Sequence, residues 1–198
     1  MQYSRNGGFG GLRPSFIRAQ DAPTSHITLD EVKRHLGIFS TEFDAELTAI
    51  ANAASEYANN ILGETVADTT YVAYYAGADQ RLLMGHKFVT SLAGVTYYDT
   101  TNTLTVLVEG TDFVLDQTSE YPSIVIMTPN IATSSDFENP VEIQYISGLS
   151  DAYFTDKIRQ ATLLVAGDMF ENKVPTSNTS YSIRAADRLL SPLKKVLV

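Results

Sequence analysis

The stretch ITLDEVKRHLGI, residues 27–38, writes both ends of a short helix into the chain. Thr28 and Glu31 have the spacing of a capping box, in which each side chain takes the other residue's backbone amide. Ile27 can staple against Val32 across the first turn, and Leu29, Val32 and Leu36 give one apolar face. Gly37 supplies the left-handed residue that ends the helix. A second helix is expected to start at Ser40 or Thr41, with Asp44 placed to repeat the capping logic. Its apolar positions Phe43, Leu47, Ile50, Ala54, Tyr57 and Ile61 keep a four-three spacing, and Gly63 closes it. Ala51, Ala53, Ala54 and Ala58 permit close approach of another helix. The spacing thus predicts helices over 28–37 and 41–62, joined as a hairpin by a very short link.

Beyond Gly63 the apolar period falls from about 3.6 to 2, the signature of strands. TTYVAYY, HKFVTSLAGVTYYD, LTVLVEG, TDFVLD, SIVIM and VEIQYISG are short, rich in β-branched and aromatic residues, and separated by turn formers. Leu104, Val106 and Val108 alternate with Thr and Leu, as Val141, Ile143 and Tyr145 alternate with polar residues. A mostly antiparallel β region over about 68–147 is expected. Helical signal returns over 155–172, where Thr155 suits an N-cap and Ile158, Ala161, Val165 and Met169 line one stripe. SIRAADRLLSPLKKVLV reads as a short amphipathic helix interrupted near Pro192. Residues 1–26 hold five Gly or Pro breakers in their first fourteen positions and read as an extended arm. The fold class is α+β: a helical bundle, made of the helix hairpin plus a long C-terminal helix, with an inserted antiparallel β region.

With 44% hydrophobic and 19% charged residues, the 198-residue chain has the material for a packed core. No apolar run is long enough to suggest a membrane span, and the start MQYSRNGGFGGLRPSF does not read as a secretory signal. The absence of Cys excludes disulfides, thiolate metal sites and thiol nucleophiles. A formal net charge of −9 disfavours general nucleic-acid binding. The charge is uneven, for residues 1–20 carry Arg5, Arg13 and Arg18 and no acid. Such an arm is either a solvated tail or an extension that docks on an acidic neighbour.

No motif supports catalysis. His26, His35 and His86 have no metal-ligand spacing, and GGFGG precedes any strand or helix that could make it a phosphate loop. Asp99, Asp112, Asp116, Asp136 and Glu138 sit where turn chemistry accounts for them. The pairs Tyr74–Tyr75 and Tyr97–Tyr98 place one ring on each face of a strand, half in the core and half available to an interface.

Taken in order, three segments resemble the head–tail connector, or adaptor, family of tailed bacteriophages. ITLDEVKRHLGI with DAELTAIANAASEYANNILG looks like that family's opening hairpin, and VTSLAGVTYYDTTNTLTVLVEGTDFVLD like its central strands. VEIQYISGLSDAYFTDKIRQATLLVAGDMFENK looks like its closing strand, Gly loop and long helix, and RAADRLLSPLKK like its terminal element. The resemblance implies a non-enzymatic virion neck protein without cofactor, assembled in the host cytoplasm and placed at the head–tail interface. It would form a ring, a dodecamer matched to the portal, with portal, tail or stopper protein and passing double-stranded DNA as partners and no membrane. Residues 27–172 would then be the adaptor core and 173–198 a docking segment, with Arg184, Arg188, Leu189, Leu190 and Leu193 meeting the portal. Arg5, Arg13 and Arg18 would brace a neighbouring subunit or tail protein. The alternatives are a stopper or tail terminator, or a β module that binds a small ligand or glycan through the Tyr-rich insertion.

Overall fold

The computed structural model describes residues 11–20, 24–119, 121–128, 130–149, 156–172 and 181–197. The expected capping box forms: the Thr28 hydroxyl accepts from the Glu31 amide at 3.3 Å, and the Glu31 carboxylate accepts from the Thr28 amide at 2.7 Å. It opens α1 (Leu29–Leu36), with Ile27 and Val32 both buried. Gly37 ends the helix at φ 71°, a left-handed conformation, and the Ile38 amide donates back to the Lys33 carbonyl at 2.9 Å.

The second helix, α2 (Asp44–Leu62), starts later than the sequence suggests, after Phe43 and with no side-chain cap. The Asp44 amide is taken by the Thr41 carbonyl at 3.2 Å, and the Asp44 carboxylate pairs with Lys33 at 2.6 Å instead of capping. Its core face is also rotated from the expected stripe. Leu47, Ala51, Ala54, Ser55, Ala58 and Leu62 are buried, whereas Ile50, Tyr57 and Ile61 are only half-buried. The narrow Ala/Ser face is the one that lets other helices come close, and packing prefers it to the bulkier stripe.

α3 (Asp156–Glu171) buries Ile158, Ala161, Thr162, Val165 and Ala166; the expected cap Thr155 lies outside the described residues. α4 (Tyr181–Leu197) is not interrupted at Pro192 but runs through it. Pro192 removes a bond to the Arg188 carbonyl, yet both residues lie on the exposed face, where water can serve that carbonyl. α2, α3 and α4 pack pairwise, and α1 packs on α2 and α3. The Tyr57 hydroxyl, on α2, donates to the Asp187 carboxylate of α4 at 2.6 Å.

The strands are β1 (Phe16–Ala19), β2 (Thr69–Tyr75), β3 (Arg81–Leu83), β4 (Val89–Tyr98), β5 (Leu104–Leu107), β6 (Phe113–Asp116), β7 (Ser123–Ile126) and β8 (Val141–Ser147). They form a five-stranded sheet ordered β1-β2-β8-β4-β5 and a three-stranded sheet ordered β3-β7-β6. Both contribute to one core, which includes Tyr75, Leu82, Val95, Ile124, Ile143 and Tyr145. The arm is more structured than an extended tail at residues 16–19, which pair antiparallel with β2 of the same chain. Leu12 is stitched to the other sheet, donating to Arg81 and accepting from Leu83, both at 2.8 Å.

The chain is therefore α+β, with four helices and antiparallel strand pairs among the described residues, in two compact units. One consists of Thr70–Ser147 with the segment before Ala22, the other of Ala22–Thr69 with Gly148–Val198. In the helical unit Gly148 passes so close to Asp68 that a Cβ would lie 2.8 Å from that residue's backbone N and Cα. Gly148→Ala is expected to cost about 1–3 kcal/mol, read as a lower urea midpoint at unchanged m. Gly77→Ala, with nothing within 4 Å of its added Cβ, should change stability by under about 0.5 kcal/mol.

Candidate interaction surfaces

The polar groups that could suggest chemistry are engaged in holding the fold. The Asp99 carboxylate accepts from the Thr101 amide, the Thr101 hydroxyl and the Thr103 amide at 2.8, 2.7 and 3.0 Å. Asp112 accepts from the Val108 amide at 2.8 Å and the Thr128 hydroxyl at 2.9 Å. The Thr118 hydroxyl and amide, together with Arg81 at 3.0 Å, hold the Asp116 carboxyl below its ordinary range. Asp136 accepts from the Asn102 amide group at 2.7 Å. The bonds of Asp99, the Asp112 bond to Val108 and the Asp116 bonds to Thr118 are local turn contacts of the kind expected, whereas those to Thr128, Arg81 and Asn102 tie separate segments together. Among the described residues, no three His, Asp or Glu side chains are grouped to hold a metal ion, and no helix is long and apolar enough to cross a membrane.

The histidines are structural contacts. His86 Nδ1 lies 2.7 Å from the Tyr145 hydroxyl, with the Tyr71 ring 4.1 Å from its own. His26 Nε2 lies 2.9 Å from the Thr162 hydroxyl, which donates to the Ile158 carbonyl. That hydroxyl's proton is already committed, so His26 must donate to it through Nε2. Burial first, and then the Arg159 cation, push the His26 pKa down to about 4 against an opposing pull from Glu31.

The residues expected to meet partners divide between the two units. Arg184 and Arg188, one turn apart on α4, are exposed and line a shallow groove of about 320 Å³ with Ala185 and Leu189. Leu193 is half-buried. Leu190 corrects the expectation: it is fully buried in the helical unit, because the apolar stripe of α4 covers its own neighbours before any partner. In the β unit, Arg18 reaches the Tyr74 hydroxyl at 3.4 Å, and Arg13 stands on the rim of a cleft; Arg5 lies outside the described residues.

That cleft, about 830 Å³, has Pro14, Leu83 and Met84 as its apolar lining and Arg13, Thr118 and Tyr121 as its polar edge. Two further surfaces were not anticipated as such. On β5, which ends the order of the five-stranded sheet, Leu104, Val106 and the adjoining Val108 are 54%, 64% and 57% exposed. Leu104 pairs with Tyr98, whose ring stacks on Phe137 at 4.2 Å, so the apolar row extends across the sheet. Phe39, in the link between α1 and α2, is 88% exposed. The alternation in LTVLV was visible in the sequence, but period alone does not say which face a fold covers.

Residues 26–105 match the phage gp6-like head-tail connector protein family. The match agrees with the resemblance read from the sequence over its first part, spanning α1, α2 and strands β2 to β4, and covers less than half of the chain. No curated protein matches the chain in sequence. Among solved structures, a chain from the neck of an empty gene transfer agent (GTA) particle, computed with C6 symmetry, superposes with a TM-score of 0.65 at 16% identity. The superposition covers 88% of this chain and 94% of that one. A chain from the native GTA neck computed with C12 symmetry gives 0.63 at 17% identity, with the same shares covered. A chain from the native GTA virion gives 0.64 at 16%, covering 87% and 93%. The fold is thus shared across nearly the whole length of each chain.

The half-buried His26 and His86 make stability depend on pH. The folded His26 pKa lies below the unfolded value near 6.5, so on acidification the unfolded chain takes up the proton first. Burial pushes His86 in the same direction. Stability is therefore full above the unfolded pKa and is lost as pH falls toward 4. His26→Gln should flatten this loss by about 1–2 kcal/mol between roughly pH 7 and pH 5, measured as urea midpoints.

Proposed function

We propose that the chain is a structural subunit of a virion neck, forming an oligomeric ring that joins the portal to the tail and extends the DNA channel. The observation that carries this reading is the agreement between the connector match over residues 26–105 and the fold shared with GTA neck chains over 88% of the chain. The C6 and C12 symmetries of those particles suit a subunit that repeats around an axis, and the reading takes twelve copies to match the portal.

The surface has the features such a subunit needs. A ring contact is heterologous, so each copy must present two different patches, one to each neighbour. The chain exposes apolar residues well apart in sequence, on β5 and at Phe39, where a lone monomer would gain nothing from them. The net charge of −9 lets DNA pass a channel wall without the phosphate neutralisation that would hold it. This role asks for rigidity and adhesion, not catalysis.

Within this reading, the exposed face of α4 docks on the portal through Arg184, Arg188 and Leu189, while Arg5, Arg13 and Arg18 serve a neighbour or tail protein. The test is charge reversal and not truncation, since removing α4 would also remove buried Ala186 and Leu190 and the Tyr57–Asp187 bond. Arg184→Glu with Arg188→Glu should leave unfolding within about 0.5 kcal/mol of the parent and abolish addition of the protein to portal particles, seen by electron microscopy. Undiminished binding would move the portal contact elsewhere.

A further inference from the structure

We infer that the exposed Phe39 side chain of one copy enters the Arg13–Tyr121 cleft of the next copy, making a head-to-tail contact; the inference rests on the ring reading above. Phe39 is presented by a link fixed at both ends. Before it, the Gly37 turn and the Ile38 amide bond to Lys33 end α1. Beyond it, the Lys33–Asp44 ion pair and the Thr41–Asp44 turn start α2. An aromatic ring held 88% exposed by such a frame is preorganised for a partner, because little entropy is left to lose on docking.

The cleft has the complementary character. Its volume of about 830 Å³ falls in the range of sites that enclose a bulky group, and Pro14, Leu83 and Met84 give it apolar walls. Among the described residues, the Arg81 guanidinium is committed to Asp116 at 3.0 Å and the Ser123 hydroxyl at 2.9 Å, whereas Arg13 makes no ion pair. Three residues beyond Phe39 stands Glu42, exposed and likewise in no ion pair among the described residues. An apolar knob with an acid three residues on, and with Asp30, Lys33 and Arg34 lining the surface around it, thus meets an apolar hole with a cation on its rim. Knob and hole are different patches, which is what a heterologous contact requires and what a two-fold dimer would not. A second copy of the chain is therefore the occupant that fits, and repetition of the contact propagates around an axis.

The chain has no Cys, so engineered thiols report this contact without background. The variant carrying Ser40→Cys and Ser119→Cys together, which keeps Phe39 and is oxidised under conditions in which the parent forms rings, should give a ladder of covalent oligomers. Neither single variant should give a ladder, and an equal mixture of the two should stop at a covalent dimer. Phe39→Ala should raise the concentration needed for half-assembly at least about tenfold. Arg13→Glu should weaken assembly, and adding Glu42→Arg to it should restore assembly. Rings that form in the parent while the double-thiol variant gives no ladder, or while Phe39→Ala assembles normally, would overturn the contact and leave the ring reading intact. A ladder from Ser40→Cys combined with Val106→Cys, and none when it is combined with Ser119→Cys, would reassign the knob to the β5 row and overturn the cleft. A parent that forms no ring, alone or with its portal, would overturn the ring reading and this contact with it.

Discussion

The face of α2 made by Ala51, Ala54, Ser55 and Ala58 is so narrow that α1, α3 and α4 can all pack against this one helix or each other around it. Small residues here act by what they omit, since each missing methylene brings a neighbouring backbone closer and keeps the interior at close-packed density. Larger side chains at these positions would force the helices apart and cost about 1–3 kcal/mol each. The larger residues of α2 are then free for other contacts. Tyr57 uses its hydroxyl to fix α4 through Asp187, and burial together with that bond pushes its own pKa up to about 12. The position of α4, and so of Arg184 and Arg188, follows from that packing.

Rigidity of this kind is what the proposed ring requires, because a ring contact repeats its geometrical error at every copy. The capping box at Thr28 and the ion pair from Lys33 to Asp44 hold the α1–α2 link in one conformation, and Phe39 projects from that link. In the β unit, rigidity comes from a core shared by the two sheets and from the arm, which pairs with β2 and with β3. The surfaces proposed for assembly lie on rigid elements, so docking there would carry little entropic cost for their ordering.

Features with a local cause could be read in the sequence, and features with a tertiary cause could not. The Thr28–Glu31 box, the Gly37 stop and the strands TTYVAYY and VEIQYIS are written in residues close together, and they stand as expected. The short strands β1 and β3 carry little period of their own and are defined by the partners they meet. Helical period gave α2 its existence but not its inward face, since both the Ile50–Tyr57–Ile61 side and the Ala side satisfy the spacing. Pro192 was read by its usual effect, which fails where the lost bond faces water. Leu190 looked adhesive because composition cannot distinguish a residue that covers its own fold from one that awaits a partner. The resemblance to the connector family was legible because order and spacing of several elements carry more information than any one of them.

The most direct test is a cryo-electron microscopy reconstruction of the neck of the particle that carries this protein, with rotational symmetry determined from the data. The account predicts a closed ring of copies of this chain between portal and tail, around a channel wide enough for duplex DNA. A neck layer of a different chain at that position, or this chain as isolated copies off the axis, would contradict it.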